Sequence, residues 1–135
     1  MKVEDKTLQA LASAIKFRQM RQEVLTANVA NSETPGYKSQ RLDFEKALAR
    51  AIDVDEQMGM NHSESEHYNV GNGGFNNLEP EIYEDSNGVV SEDGNTVDRD
   101  AELALMAENR LMYEAAVKLM KKKYGMMKYV IQSEN

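Results

Sequence analysis

Cysteine is absent from this 135-residue chain. The chain therefore forms no disulfide of its own, and its folding is indifferent to the redox state of its compartment. Nowhere does an apolar run approach the ~20 residues that a membrane-spanning helix needs. The first six residues, Met-Lys-Val-Glu-Asp-Lys, carry neither the apolar stretch nor the small-residue cleavage site of a secretion signal. We expect a soluble chain without a Sec-type signal.

Basic residues are missing from the middle of the chain. Between Ala51 and Asp98 there is no Lys or Arg but there are twelve Asp or Glu, so this stretch carries a charge of −12 and the flanks carry +5. Only 14 of its 48 residues are hydrophobic, against 41% of the whole chain. We therefore expect a single domain whose core comes from the two ends of the chain.

An amphipathic helix is predicted from about Asp5 to Asn31, because apolar residues recur there in steps of three and four. Arg18 and Gln22 interrupt this apolar seam near its middle. A neighbouring apolar stripe widens the face and predicts contact with more than one helix. The seam consists of Leu8, Leu11, Ile15, Leu25 and Val29.

A second long helix is predicted from about Thr96 to the end of the chain, with Asn95 or Thr96 as its cap. Its seam is regular over about four heptads, and Arg110 is its only charge. The basic run 121–123 is interpreted as a solvated face rather than a nucleic-acid site, since the chain is acidic overall. The seam consists of Leu103, Met106, Arg110, Tyr113, Val117, Met120, Tyr124, Met127 and Ile131.

Arg110 is expected to set the register of the two helices, because a buried polar layer commonly fixes alignment. It cannot pair with Arg18, so it needs an acceptor from Gln22, Glu23 or a carboxylate of a neighbouring subunit. The alternative is that Arg110 lies at the edge of the seam and reaches solvent.

Between the two long helices, the four-residue spacing of Phe44, Leu48 and Ile52 predicts a short helix from Arg41 to Ile52. Residues 53–80 are rich in Gly and Asn and are interpreted as extended or flexible. Further on, Asn-Gly between β-forming residues predicts a small hairpin that pairs 81–84 with 89–90.

No metal site is predicted. His62 and His67 are five residues apart, which does not place them on one helix face, and nothing marks a second shell. The acidic run from Asp93 lacks the glycine at position six and the glutamate at position twelve of a calcium loop; Ala104 stands at the latter.

The fold class expected is mostly α. The N- and C-terminal helices pair antiparallel as a coiled-coil-like bundle, with a loop-rich middle that holds a small β-hairpin. One structural domain would comprise residues 1–52, an acidic segment 53–95, and the last helix in 96–135. Two helices make a thin core, so their remaining apolar faces predict interaction sites, to which the nine methionines can adapt.

The end of the first helix carries the most informative stretch. Asn31 and Ser32 favour helix termination, because short polar side chains bond nearby backbone. Pro35-Gly36 suits the central positions of a type II turn, with a positive φ at the glycine.

As a string, Asn28-x-Ala30-Asn31-x-x-Thr34-Pro35-Gly36-Tyr37-Lys38 resembles the N-terminal signature of bacterial flagellar axial proteins, meaning rod, hook and hook-associated subunits. The short chain resembles the rod members, since the others carry large inserted domains. Residues 18–25, 93–98 and 107–114 resemble a proximal rod subunit, whereas no such resemblance is recognised in residues 53–91. The resemblance implies an assembly and turn motif of Asn28, Asn31, Thr34, Pro35, Gly36 and Tyr37.

The resemblance further implies a non-enzymatic structural subunit of the flagellar rod, exported by the flagellar type III apparatus. It would assemble in the cell envelope, on the periplasmic side of the inner membrane. Its implied partners are copies of itself, other rod and basal-body proteins and the export apparatus, with no cofactor, nucleic acid or small-molecule substrate. The alternatives are the neighbouring short rod subunit and a cytoplasmic coiled-coil adaptor or export chaperone. An enzyme is not predicted, because the sequence shows no nucleophile paired with a base, no phosphate-binding loop and no set of metal ligands.

Overall fold

The computed structural model describes residues 2–60, 75 and 78–134. Within these residues no helix is both long and apolar enough to span a membrane. The two histidines considered as metal ligands, His62 and His67, lie outside the described residues. The elements in chain order are α1 (Lys2–Ala30), β1 (Gln40–Asp43), α2 (Glu45–Met60), β2 (Glu81–Glu84) and α3 (Arg99–Ser133).

The two long helices, α1 and α3, pack against each other, which confirms the expected pairing of the terminal helices. Their direction is antiparallel, because the end of α1 bonds to the first turn of α3, whereas the middle of α1 bonds further along α3. Side-chain hydrogen bonds join Asn28 to Glu102, Gln19 to Tyr113, and Arg18 to Asn109.

The hydrophobic core lies where β1 and the start of α2 pack on the middle of α1. Phe17, Leu42 and Phe44 are each 2% exposed, and the two phenylalanine rings stack with centroids 5.5 Å apart. Burying each of these side chains stabilises the fold by about 2 kcal/mol. The half-buried hydrophobic residues around this cluster are Met20, Val24, Leu48 and Leu78.

A small antiparallel sheet lies in the middle of the chain, as expected, but its strands are not those of a local hairpin. β2 pairs with β1, in the register Gln40 with Glu84 through Asp43 with Glu81. The segment 89–90, predicted to be the partner, forms no strand. Leu42 on β1 is buried with Phe17 and Phe44, whereas all four residues of β2 are exposed. The amide of Asp85 extends the contact between the strands by donating to the carbonyl of Ser39 at 2.8 Å.

The second helix also differs from its predicted bounds. Residues 41–43 belong to β1, and α2 begins at Glu45 and continues to Met60, into the stretch interpreted as extended. Arg21 explains the late start, because its Nε donates to the carbonyl of Leu42 at 3.0 Å and its guanidinium pairs with Glu45. The backbone before Phe44 is thus held by α1 rather than by a helical turn.

Candidate functional site at the junction of the terminal helices

The turn after α1 has the predicted conformation. Gly36 has φ +74°, and the amide of Tyr37 donates to the carbonyl of Thr34 at 3.2 Å, as in a type II turn. Asn31 donates through Nδ2 to the carbonyl of Ala27 and accepts from the hydroxyl of Thr34. Proline and glycine chemistry therefore reverses the chain here, with local side-chain bonds closing the helix end.

Asn28 is completely buried, and its side chain uses its whole hydrogen-bonding capacity. Its Nδ2 donates to the carbonyl of Gln40 at 2.8 Å and to Oε2 of Glu102 at 3.0 Å. Its Oδ1 accepts from the amide of Gln40 at 3.0 Å and from the hydroxyl of Tyr37 at 3.2 Å. One amide side chain therefore fixes the start of β1 and the first turn of α3 to the end of α1.

Glu102 supplies a carboxylate that is 1% exposed. Its Oε1 accepts from the hydroxyl of Ser39 at 3.1 Å and pairs with Arg41 at 2.7 Å, while Oε2 accepts from Asn28. A buried charge is tolerated only when it is paired and hydrogen-bonded, and this one meets both conditions. Burial, together with the negative charge of Glu102, raises the pKa of Tyr37 above its ordinary value.

Asn95 closes the end of α1 instead of capping α3. Its Nδ2 donates to the carbonyls of Asn31 and Thr34 at 2.9 and 2.8 Å, which satisfies acceptors left open where the helix stops. The N-cap of α3 is Asp98, whose carboxylate accepts from the amide of Ala101 at 3.2 Å. The prediction of Asn95 or Thr96 as the cap was therefore wrong by two to three residues.

Backbone contacts also bind the loop before α3 to the turn after α1. The amide of Gly36 donates to the carbonyl of Asp93 at 2.9 Å, and the amide of Thr96 donates to the carbonyl of Tyr37 at 3.1 Å. Gly94 has φ +82°, and a Cβ there would lie 3.5 Å from the Cα of Gly36. The two turns therefore touch, and each carries a glycine in the left-handed conformation that favours glycine.

These contacts define a polar junction between the end of α1 and the start of α3. It contains both predicted motif residues and residues that sequence reasoning did not assign to a site. Glu102, Asn109 and Ala116 recur every seven residues and are the buried residues of α3, but two of the three are polar and so they did not stand out as an apolar seam. The residues of the polar junction are Asn28, Tyr37, Ser39, Arg41, Asn95, Thr96 and Glu102.

A second polar contact between the helices replaces the one expected at Arg110. Asn109 donates through Nδ2 to the carbonyl of Arg18 at 2.8 Å and to Oε1 of Gln22 at 2.9 Å. The side chain of Arg110 is 77% exposed, and its contact is with Glu114 on its own helix at 3.4 Å. Adjacent residues point about 100° apart on a helix, so with Asn109 facing α1 the next side chain turns away.

The remaining seam residues divide between the interface and the surface. Leu25 is buried, and the half-buried ones are Leu8, Leu11, Ile15, Val29, Met106, Tyr113, Val117, Met120 and Met127. Leu103, Tyr124 and Ile131 are 45%, 55% and 63% exposed. The face of α3 that meets α1 is therefore rotated from the predicted stripe toward the Glu102, Asn109 and Ala116 side.

Arginine side chains cover the core on its outer side. The guanidinium carbons of Arg18 and Arg21 lie 5.2 and 4.5 Å from the ring centre of Phe44. Burial, then the charge of Arg21, lowers the pKa of Arg18. Burial alone raises the pKa of Glu45, but hydrogen bonds from its own amide, from Arg21 and from the Phe44 amide outweigh it and leave that pKa below its ordinary value.

The chemistry of the junction is that of a structural contact. Within the described residues no group of three metal-ligating side chains occurs, and every buried side-chain nitrogen or oxygen has a hydrogen-bond partner. A network whose buried polar atoms all have partners holds the joined segments together.

The sequence of this chain is similar to those of known proteins. A family model described as flagella basal body rod protein matches residues 8–38, which hold most of α1 and the turn. The flagellar basal body rod protein FlgB of Escherichia coli K12 is 31% identical over 138 residues, covering 97% of this chain and 96% of that protein. The chain belongs to the FlgB family of flagellar basal-body rod proteins. A FlgB of Bacillus subtilis 168 is 28% identical over 132 residues, covering 93% of this chain and 92% of that protein.

Membership in the FlgB family makes the chain a structural subunit of the flagellar basal-body rod and not an enzyme. It confirms the resemblance drawn from the turn motif, in preference to a cytoplasmic adaptor or chaperone. The family model covers the α1 side of the polar junction, and the similarity to the FlgB proteins extends over nearly the whole chain and so takes in the α3 side.

Proposed function

We propose that the chain builds the rod by packing the outer faces of its terminal helices against copies of itself and other rod proteins. We further propose that the flagellar type III apparatus exports it and that it assembles on the periplasmic side of the inner membrane. The observation that carries the proposal is the exposed apolar surface of α3. Its largest exposed side chains include Leu111, Leu119, Met126, Tyr129, Val130 and Ile131, between 51% and 74% exposed.

A solvent-exposed run of this kind is unusual in a protein that acts alone. Fully burying a Leu or Met side chain is worth about 1.5 to 3 kcal/mol, so covering several half-exposed ones supplies useful association energy. α3 is 35 residues long and commits only Glu102, Asn109 and Ala116 to full burial. The helix therefore has more apolar surface than α1 covers.

The turn motif and polar junction have a supporting role in this proposal. Asn28, Asn31, Thr34, Pro35, Gly36 and Tyr37 set the path between α1 and β1, and Glu102 ties α3 to that path. Residues 1–52, 53–95 and 96–135 would then act as one structural domain with fixed outer faces. The small core and absence of disulfides suit a chain that must cross an export channel unfolded and fold afterwards.

The proposal is tested in a strain lacking the gene for this chain. Restoring the full chain should restore swimming, and the chain should be recovered in purified hook-basal bodies. The matched comparison is a strain unable to export flagellar proteins, in which the chain should stay in the cytosol. Restored swimming with the chain found only in the cytosol would contradict a rod subunit and favour an adaptor or chaperone.

A further inference from the structure

We propose that copies of this chain contact one another head to tail, the acidic loop patch of one copy seated on the basic flank of α3 of the next. This rests on the proposed self-assembly and names its contact surfaces. The acidic loop patch comprises Ile82, Glu84, Val89, Val90 and Glu92. The basic flank comprises Lys118, Leu119, Lys122, Met126 and Val130.

The basic flank is a second apolar strip on α3, separate from the face that meets α1. Leu119 and Met126 are seven residues apart and therefore lie on the same side of the helix, and both are 56% exposed. Val130 follows one turn later and is 51% exposed. Lys118 and Lys122 are exposed and border the strip, one turn apart. A partner that covers it must bring apolar side chains with negative charges beside them.

The acidic loop patch has that composition. Val89 is 89% exposed and Val90 is 61% exposed, although loops usually carry polar residues at such positions. Ile82 on β2 is 53% exposed. Glu84 and Glu92, exposed on either side of the valines in the chain, give this short segment a negative charge.

The two surfaces cannot meet within one molecule. Asn95 and Thr96 hold the loop at the junction near Glu102, whereas Leu119 lies 17 residues further along α3, about 26 Å away at 1.5 Å per residue. Pairing the basic flank with itself would place four lysines at one contact with no carboxylate from either flank to balance them. A contact between two different patches does not close on itself unless the rotation forms a ring, so it builds a ring or a filament.

The test uses the lack of cysteine in this chain. Val89→Cys and Leu119→Cys proteins are mixed, oxidised gently, and the mixed disulfide is measured by mass spectrometry. Val89→Cys mixed with Ala12→Cys is the control, since Ala12 is exposed on α1. We expect the Val89–Leu119 product to exceed the control product about tenfold, equivalent to 1.4 kcal/mol of preference.

Charge reversal supplies the second arm of the test. Changing Lys118 and Lys122 to Glu should abolish the excess, and adding Glu84→Lys and Glu92→Lys to the partner should restore it. Circular dichroism verifies that each variant keeps its helices. Equal yields from the two mixtures, or an excess that survives charge reversal, would overturn the inference. Recovery of the wild-type chain in hook-basal bodies is a separate result, so the proposed rod function can stand even if this contact fails.

Discussion

Replacing Asn28 by alanine should be among the most damaging single changes to this fold. The substitution removes an amide nitrogen that donates two hydrogen bonds and an amide oxygen that accepts two, at a fully buried position. It leaves the backbone amide and carbonyl of Gln40 without their side-chain partner. It also removes a hydrogen bond to the buried Glu102 carboxylate. Net hydrogen bonds are worth about 1 kcal/mol each, and unsatisfied buried groups cost about 1 to 3 kcal/mol. We expect a loss on the order of 4 kcal/mol.

Urea unfolding of the purified chain, followed by far-ultraviolet circular dichroism, measures this loss. Asn31→Ala is the matched control, because Asn31 is only half-buried and its side chain makes local bonds, so its loss should cost about 1 kcal/mol. If the wild-type protein is too weakly folded for a titration, the loss appears directly as a helix content that is reduced in the Asn28→Ala variant and not in the Asn31→Ala variant. A cost for Asn28→Ala equal to that of Asn31→Ala would refute the reasoning about the junction.

Three further changes test other parts of the structure. Gly88→Ala should destabilise the fold by more than Gly36→Ala, because a Cβ at Gly88 would lie 2.9 Å from the Thr96 carbonyl oxygen. A Cβ at Gly36 meets free space, so Gly36→Ala should cost about 1 kcal/mol for the φ of +74° alone. Equal unfolding midpoints of the two variants would contradict this. Asn109→Ala should lower the unfolding free energy by about 2 kcal/mol, whereas Arg110→Ala should lower it by less than about 0.5 kcal/mol. If denaturant titrations showed the larger loss for Arg110→Ala, Arg110 would lie in the interface. Folding lowers the pKa of Glu45, so the stabilising effect of Glu45 is present above its ordinary pKa of 4.5 and is lost as pH falls through the folded value. Glu45→Gln should therefore flatten the pH dependence of the melting temperature below about pH 5. An unchanged profile would exclude the effect.

Local chemistry made several parts of the structure predictable. The helix end and the Pro35-Gly36 turn follow from residues that act on their own backbone, so the positive φ of Gly36 could be read from the sequence. The long helices follow from apolar periodicity in the same way. Their pairing followed from the length of two apolar stripes at opposite ends of an otherwise polar chain.

Contacts distant in sequence account for what was missed. β2 had a good local partner by composition, yet it pairs with β1, which begins 41 residues earlier and is held on α1 through the buried Leu42. The buried role of Glu102 depends on Ser39 and Arg41, which carry no signal of their own. Deciding whether Asn109 or Arg110 faces α1 required knowing how α3 is rotated about its axis. An amphipathic stripe fixes that rotation only to within one residue.

The most direct test of the proposed assembly is the amount of chain built into purified hook-basal bodies when the outer face of α3 is changed. Leu111→Glu alters a side chain that is 67% exposed, and Lys46→Gln on α2 is an exposed control. We expect the control to be incorporated like the wild type, and the Leu111 variant to be folded and exported but absent from basal bodies. Normal incorporation and swimming of the Leu111→Glu strain would contradict assembly through this face.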